Sequence, residues 1–450
     1  MVTFTACRSR PEVVVPARAT PQEVKQLSDV DNQRDLRLYV TFIEFYRRRV
    51  VGVPEPSTAS SIIKAALAEA LVYYYPVAGR LRELPGGDKL VVDCTAEGVV
   101  FVEAHADVRL EEFGTPLVPP YPCVDELICQ VGDLRAVVAK PLLYLQKTEF
   151  KCGGFALALT MCHNIVDAFG KIQLLKCIID LARGQAVPSV LPSWERHLLV
   201  SSAEAASESY QAHNNAKSSP AETPPMMLEE MVTRTFLFGP KEIATLRVSL
   251  PARLARSATV FELITAAVWR CRTAALEHAP DERVCVVFLT NARGSWKRDP
   301  PLPPGFYGNA VFTTIAEAVV GKLCGGPLTY AVELVHEAKI RMTDEYVRLV
   351  LDVLARGERY VNVALDKAFI ATDVSRSGNH LMDLGWAERV GGGGSMAGDI
   401  VNRLTSAYMS CKNAKGEECV MVPISLPELA MERFASQLTA VTKELARSSL

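Results

Sequence analysis

Apolar residues recur at two spacings along this chain, and the changes between them mark out its elements. Alternation over Leu38 to Tyr46 predicts a strand, and Leu90 to Asp93 and Val99 to Glu103 read as paired strands. The apolar run that begins at Gly153-Gly154 predicts a buried strand ending at His163, with Asp167 four positions on. Ser60 to Tyr75 keeps one continuous apolar face at helical spacing. Thr20-Pro21-Gln22-Glu23 has the form of a capping box with proline at the first helical position, which predicts a helix start. Between about 201 and 225, Ser, Ala, Glu, Asn and Pro dominate and aromatics nearly vanish, the composition of a solvated connection. The same vocabulary then restarts. Thr259-Val260-Phe261-Glu262 is a second capping box opening a helix through Trp269, Cys285 to Thr290 is an apolar strand, and Leu328 to Met342 is helical in period. Val420 to Ile424 reads as a strand. Ser425-Leu426-Pro427-Glu428 then caps a last helix, with Met431, Phe434, Leu438, Val441 and Leu445 on one face.

At 450 residues the chain exceeds one ordinary core. The pattern predicts two mixed α/β domains, 1–200 and 226–450, joined by the segment 201–225. Hydrophobic content of 49% and charged content of 22% are those of a soluble globular protein. A net charge of −2 gives no bulk field for nucleic acid or an acidic membrane, so an anionic ligand must be held by local groups. Nowhere do about 18 apolar residues run together, and the start of the chain lacks the apolar block of a signal peptide. The 12 cysteines are scattered, without a Cys-x-x-Cys pair and mostly inside apolar segments, which predicts free thiols in a reducing cytoplasm and no metal site. The remaining histidines, His105, His197, His213, His278, His336 and His380, have no neighbours in sequence that suggest ligation.

A strand end is a rigid place from which to present an imidazole, the side chain best suited to take and return a proton near neutrality. The His163-x-x-x-Asp167 spacing alone arises often by accident, and a histidine that merely caps a strand is the plain alternative. Three further segments change the weighing: Tyr75-Pro76-Val77-Ala78-Gly79-Arg80-Leu81 after a helix; Asn291-Ala292-Arg293 followed by Gly305-Phe306-Tyr307-Gly308-Asn309-Ala310; and Asp383-Leu384-Gly385-Trp386-Ala387 near the end. In this order and at these separations they resemble the plant BAHD acyltransferases, over nearly the whole chain. Leu27-Ser28-Asp29-Val30-Asp31, Val92 to Gly98 and Pro301 to Gly305 resemble the benzyl alcohol O-benzoyltransferase type of that family.

The resemblance implies two chloramphenicol-acetyltransferase-like mixed-sheet domains with the active site in a tunnel between them. It implies His163 as general base, and Asp167 paired with Arg293 to brace the turn rather than to act as an acid. Thr372, eleven positions before Asp383, matches a family threonine and becomes the candidate oxyanion donor, a strand threonine being the alternative. Asp383, Gly385 and Trp386 belong to a structural motif, from which this chain departs with Leu384 for phenylalanine and Ala387 for the last glycine; Ala168 likewise replaces the glycine after Asp167. For the CoA phosphates, Arg253, Arg256, Ser257 and Thr259 gather at the start of the second capped helix, where Thr259 could equally be only the cap. Arg47-Arg48-Arg49 reads as a solvated strand end and Gly391 to Gly394 as a flexible loop.

The activity so implied is transfer of an aromatic, benzoyl-type acyl group from CoA to a small alcohol by a monomer, without an acyl-enzyme and with no cofactor beyond the acyl-CoA co-substrate. No Gly-x-Ser-x-Gly elbow is present to suggest a serine nucleophile. Acetyl- or hydroxycinnamoyl-CoA with a terpenoid, phenolic or amine acceptor is the alternative within the class, and acyl-CoA binding without turnover the alternative outside it.

Overall fold

The computed structural model describes residues 2–49, 56–87, 89–202, 231–294, 300–361, 363–378, 382–395 and 405–443. The strands are β1 (Ala6–Arg8), β2 (Glu12–Val14), β3 (Val24–Gln26), β4 (Tyr39–Arg48), β5 (Arg80–Glu83), β6 (Leu90–Asp93), β7 (Val99–Ala106), β8 (Leu143–Phe150), β9 (Phe155–Cys162), β10 (Met231–Phe238), β11 (Arg283–Asn291), β12 (Val311–Val319), β13 (Ala368–Asp373), β14 (Ala387–Gly394), β15 (Thr405–Lys412) and β16 (Glu418–Pro427). The helices are α1 (Pro56–Tyr73), α2 (Val124–Leu127), α3 (Ala168–Ala182), α4 (Pro240–Val248), α5 (Ala252–Ser257), α6 (Val260–Ala275), α7 (Val320–Gly325), α8 (Leu328–Ile340), α9 (Asp344–Ala355) and α10 (Glu428–Lys443).

Two mixed sheets dominate. The first has the order β1–β7–β8–β9–β4–β14 with β2 also on β7, and the second the order β10–β16–β15–β13–β11–β12. A small third sheet is β3–β6–β5. Every residue of β9 is buried, because the strand is covered on both faces. Phe155, Leu157, Leu159 and Met161 pack with the apolar sides of α1 and α3, while Ala156 and Ala158 face Phe45 and Phe150 in a second cluster. One face of the second sheet packs with α6, α8 and α10.

β14 comes from the second half of the chain but completes the first sheet, antiparallel to β4 from Ala387↔Arg48 to Gly394↔Phe42. Its anchor is an ion pair, Arg389 Nε to Glu44 Oε2 at 2.6 Å, with Glu44 only 1% exposed. The segment 226–450 is therefore not closed on itself, and Gly391 to Gly394 is a strand rather than the expected loop. Gly391 to Gly393 lie in close contact: at Gly392, φ is +149° and a Cβ would stand 2.1 Å from Glu44 Oε2 and 2.5 Å from the Ile43 carbonyl.

Other expectations are corrected by tertiary partners. No helix starts at Thr20-Pro21-Gln22-Glu23. The Glu23 carboxylate accepts from Tyr75 Oη at 2.6 Å instead of from the backbone, and the chain runs on into β3, whose residues Val24 and Gln26 are exposed and offer no helical core face. β6 and β7 do not pair with each other: β6 joins β3 and β5, and β7 joins β1, β2 and β8. Ser425 does not cap the last helix. β16 runs through to Pro427, and Ser425 Oγ lies 2.7 Å from Thr233 Oγ1 on the neighbouring strand. Of the expected connection 201–225, all but Ser201 and Ser202 lies outside the described residues, as do His213, His380 and Leu445. Among the described residues no helix is long and apolar enough to cross a membrane.

Gly392→Ala is expected to lower stability by about 1–3 kcal/mol, since the added methyl must push the β4 backbone or the Glu44 carboxylate aside. Urea denaturation against the unaltered protein reads this directly, and an unchanged midpoint would mean that β14 does not lie on β4 as described.

Candidate active site

β9 ends at Cys162, and the chain turns through His163 to Asp167 before α3 begins. The His163 amide donates to the Leu38 carbonyl at 2.8 Å, which ties the turn to the start of β4. Asp167 is the N-cap of α3, its Oδ1 accepting from the Gly170 amide at 2.9 Å. Its Oδ2 accepts from Arg293 Nη1 at 2.7 Å and from the Ala310 amide at 3.0 Å. Arg293 in turn donates from Nε to the Phe306 carbonyl at 2.9 Å and from Nη2 to the Gly308 carbonyl. All the Asp167 bonds run toward the helix start and Arg293, so the carboxylate braces the turn.

A second buried pair lies beneath it. Asp31 and Arg196 are 0% and 1% exposed and meet at 3.1 Å. Arg196 Nη2 donates to the Ile165 carbonyl at 2.8 Å, and its guanidinium lies 4.4 Å from the Trp194 ring centroid and 5.0 Å from that of Tyr307. Asp31 Oδ1 accepts from the Asn309 amide at 2.9 Å and from Asn309 Nδ2 at 2.8 Å. Asn309 Nδ2 also donates to the His163 carbonyl at 2.7 Å. Gly308 leaves room for this arrangement, since a Cβ there would stand 1.1 Å from Arg196 Nη1. The backbone on both sides of Asn164 is thus fixed by two side chains from distant segments, Asn309 and Arg196, which Asp31 joins.

His163 is part-exposed, while its Nδ1 is enclosed and has no hydrogen-bond partner among the described residues. Burial first, and then the charge of Lys171, holds the imidazole below its ordinary pKa; its own carbonyl, Asp167 and Asn309 act the other way. A histidine so placed is a free base at neutral pH. Thr372 sits at the end of β13 in the second sheet, between Leu289 of β11 and Ala407 of β15. Two residues on, Val374 packs with Ala168 and Phe169 at the start of α3, so this end of β13 is brought up to the histidine turn.

A sequence profile described as the Transferase family matches residues 2–441. The chain belongs to this family, the BAHD acyltransferases. It is 48% identical to "Acyl transferase 1" of Oryza sativa subsp. japonica, over 100% of this chain and 99% of that protein. It is 41% identical to "Benzyl alcohol O-benzoyltransferase" of Nicotiana tabacum (98% and 95% covered) and 42% identical to "Spermidine hydroxycinnamoyltransferase 1" of rice (92% and 94%). Its fold is that of vinorine synthase, with a TM-score of 0.75, 20% identity and coverage of 97% and 98%, and of TRI101 of F. sporotrichioides crystallised with coenzyme A and T-2, with a TM-score of 0.72, 14% identity and coverage of 92% and 97%.

The second motif of this acyltransferase lies at the far end of β9. Asp383 accepts from Arg49 Nη2 at 2.5 Å and from the Gly385 amide at 2.6 Å, and Trp386 stacks on Phe155 at 5.6 Å. Phe155 is seven residues from Cys162, or about 23 Å along the strand, so the motif joins β14 to β4 well away from His163. Arg49 is accordingly a partner in this joint and not a merely solvated end. Leu384 fills a core position at 1% exposure, and Ala387 is accommodated in β14 without a positive φ.

The CoA candidates are only partly brought together. Arg253, Arg256 and Ser257 are exposed on α5, with Arg256 Nε donating to the Ala252 carbonyl and Ser257 Oγ to that of Arg253. Thr259 caps α6, and Glu262 fills the helix start, accepting from the Thr259 amide at 2.7 Å and from Lys339 Nζ at 3.1 Å. His336 Nδ1 also meets Glu262, at 3.1 Å, a partner that the sequence did not suggest. The resident carboxylate leaves the arginines of α5, rather than the α6 terminus, as the groups open to an anion.

Sequence reasoning assigned no role to Asp31, Arg196 or Asn309. Asp31 and Asn309 lay inside segments that carried the resemblance, whereas Arg196 has no signal in its neighbours.

Asp167→Ala and Arg293→Ala are each expected to cost about 3–5 kcal/mol, because each leaves a buried charge unpaired. The double variant should cost clearly less than the sum. Denaturant melts of the three proteins form the cycle, and strict additivity would show that the two side chains do not interact.

Proposed function

We propose that this acyltransferase moves an aromatic, benzoyl-type acyl group from CoA to the hydroxyl of a small alcohol, with His163 as the general base. The observation that carries the reading is the part-exposed imidazole of lowered pKa, held at the end of β9 by two buried ion pairs. Its similarity to a benzoyltransferase of benzyl alcohol supports the acyl group and the acceptor.

In this mechanism His163 takes the proton as the alcohol oxygen attacks the thioester carbonyl carbon. The carbonyl electrons move to oxygen, and the Thr372 hydroxyl donates to the oxyanion. The intermediate collapses, the carbon–sulfur bond breaks, and the thiolate takes the proton back from His163, leaving ester and free CoA. The thioester is already activated, so the chemistry calls for neither a covalent acyl-enzyme nor a cofactor. Asp167 and Arg293 act as positioning residues. Arg253 and Arg256 take the CoA phosphates, with Ser257 and Thr259 as polar neighbours. The enzyme works as a monomer in the cytoplasm, in keeping with its 12 unpaired thiols.

Release of free thiol from a panel of acyl-CoAs, against a panel of alcohols and amines, tests the reading. Best turnover with benzoyl-CoA and an alcohol supports it; best turnover with an amine moves the acceptor class, and binding without turnover removes the enzyme. His163→Ala is expected to keep the fold and lower turnover by about two to four orders of magnitude. Thr372→Val should lower kcat by about a hundredfold or more if it removes an oxyanion donor, and leave it nearly unchanged if Thr372 is only a strand residue. The rate should rise with pH as His163 loses its proton, with a midpoint below the ordinary histidine value of about 6.5. A midpoint above that value would contradict a desolvated imidazole as the base.

A further inference from the structure

Lys171 lies one turn into α3, its amide bonded to the Asp167 carbonyl at 3.0 Å, and is only 2% exposed. A lysine so deeply buried is ordinarily paired with a carboxylate. Here, among the described residues, Nζ donates to the Val40 carbonyl at 3.1 Å and lies 4.5 Å from the centroid of the Phe42 ring, with no carboxylate within ion-pair distance. Val40 is two residues from Leu38, whose carbonyl holds the His163 amide. The Phe42 ring packs in a cluster that joins Ala168 and Phe169 of the α3 turn to Val374, Met409 and Met421 of the second half. The ammonium therefore stands where the two sheets meet, next to the histidine turn.

The other ion pairs near this corner are Asp167 with Arg293 and Asp31 with Arg196. The Cys162 thiol is neutral, pushed up to about 12 by burial. Among the described residues Lys171 has no ion-pair partner of its own, although the Asp167 carboxylate acts on both it and His163. We propose that Lys171 is a positioning residue that sets the acceptor class: its buried ammonium opposes a second positive charge beside it, so that the site takes neutral hydroxyl acceptors in preference to polyamines. Burial brings Lys171 down to about 7, so the charge is present on the acid side, where His163 titrates, and is lost above it. Over that range it opposes protonation of His163 and keeps the base available.

The inference rests on His163 as the base, and the two can fail separately. The probes are Lys171→Met, Lys171→Gln, which retains a donor for the Val40 carbonyl, and Lys171→Arg, which retains the charge. The first measurement needs no substrate: the pH dependence of His163 carbethoxylation by diethyl pyrocarbonate, followed by mass spectrometry of its peptide. The midpoint should move to higher pH in the Met and Gln proteins and stay in place in the Arg protein. The second is the ratio of kcat/KM for benzyl alcohol to that for putrescine with one acyl-CoA at about pH 6.5. It should shift toward the diamine by about tenfold or more when the charge is removed. An unchanged midpoint and an unchanged ratio in a folded Gln protein overturn the proposal. Should no acyl-CoA support turnover, the functional reading fails, and an unmoved carbethoxylation midpoint would then overturn the electrostatic role of Lys171 by itself.

Discussion

Two buried carboxylates, Asp31 and Asp167, hold the histidine turn against the rest of the molecule. Each is too deeply enclosed to be hydrated, so each must be neutralised and bonded by protein groups. Asp31 does this with Arg196, Asn309 and Ser28, and Asp167 with Arg293 and two backbone amides. Arg196, Arg293, Asn309 and Ala310 come from beyond β9, in the segments around residue 196 and from 291 to 310, while Ser28 and Gly170 are local to each carboxylate. Closing these bonds fixes the carbonyls of His163 and Ile165, and so orients the imidazole. A pair of this kind adds little stability against an apolar equivalent, but it tolerates only one arrangement, which is what a base at a strand end requires.

The exchange of β14 serves the same end from the other direction. The first sheet takes its edge strand from the second half of the chain, and the Asp383 motif and the Glu44–Arg389 pair lock that strand at two points. The two halves of the chain are thereby joined by backbone hydrogen bonds as well as by side chains. The end of β13, with Thr372, is held against the start of α3 through the cluster around Val374. Groups on different sheets can cooperate in one reaction only if such a connection keeps their separation constant. In this scheme the glycines of β14 are packing residues, since the strand lies against β4 with no space for a side chain at Gly392.

Charge in this region is arranged by subtraction. Two ion pairs close around the histidine turn and leave beside it one buried lysine with no ion-pair partner among the described residues, brought down to about 7 by burial.

The sequence by itself determined the elements whose patterns are local and strongly periodic: the buried run ending at His163, the face of α1, the capped start of α6 and the alternation of β4. It also determined the family, through motifs whose order along the chain is set, and with it the Asp167–Arg293 pair. Periodicity could report these because burial on one face or on both is written into neighbouring residues. It failed where a distant partner decided the outcome. Glu23 was drawn to Tyr75 and lost its helix, β6 and β7 parted to join different sheets, Ser425 remained in a strand beside Thr233, and a glycine run that reads as a loop became an edge strand because β4 supplied the ladder. The pairing of Asp31 with Arg196, the attachment of Asn309 to the His163 carbonyl and the lone charge of Lys171 are likewise products of the tertiary structure. Each depends on which groups meet after burial, and the cost of leaving a buried charge or donor unmet is felt only once the chain has closed around it.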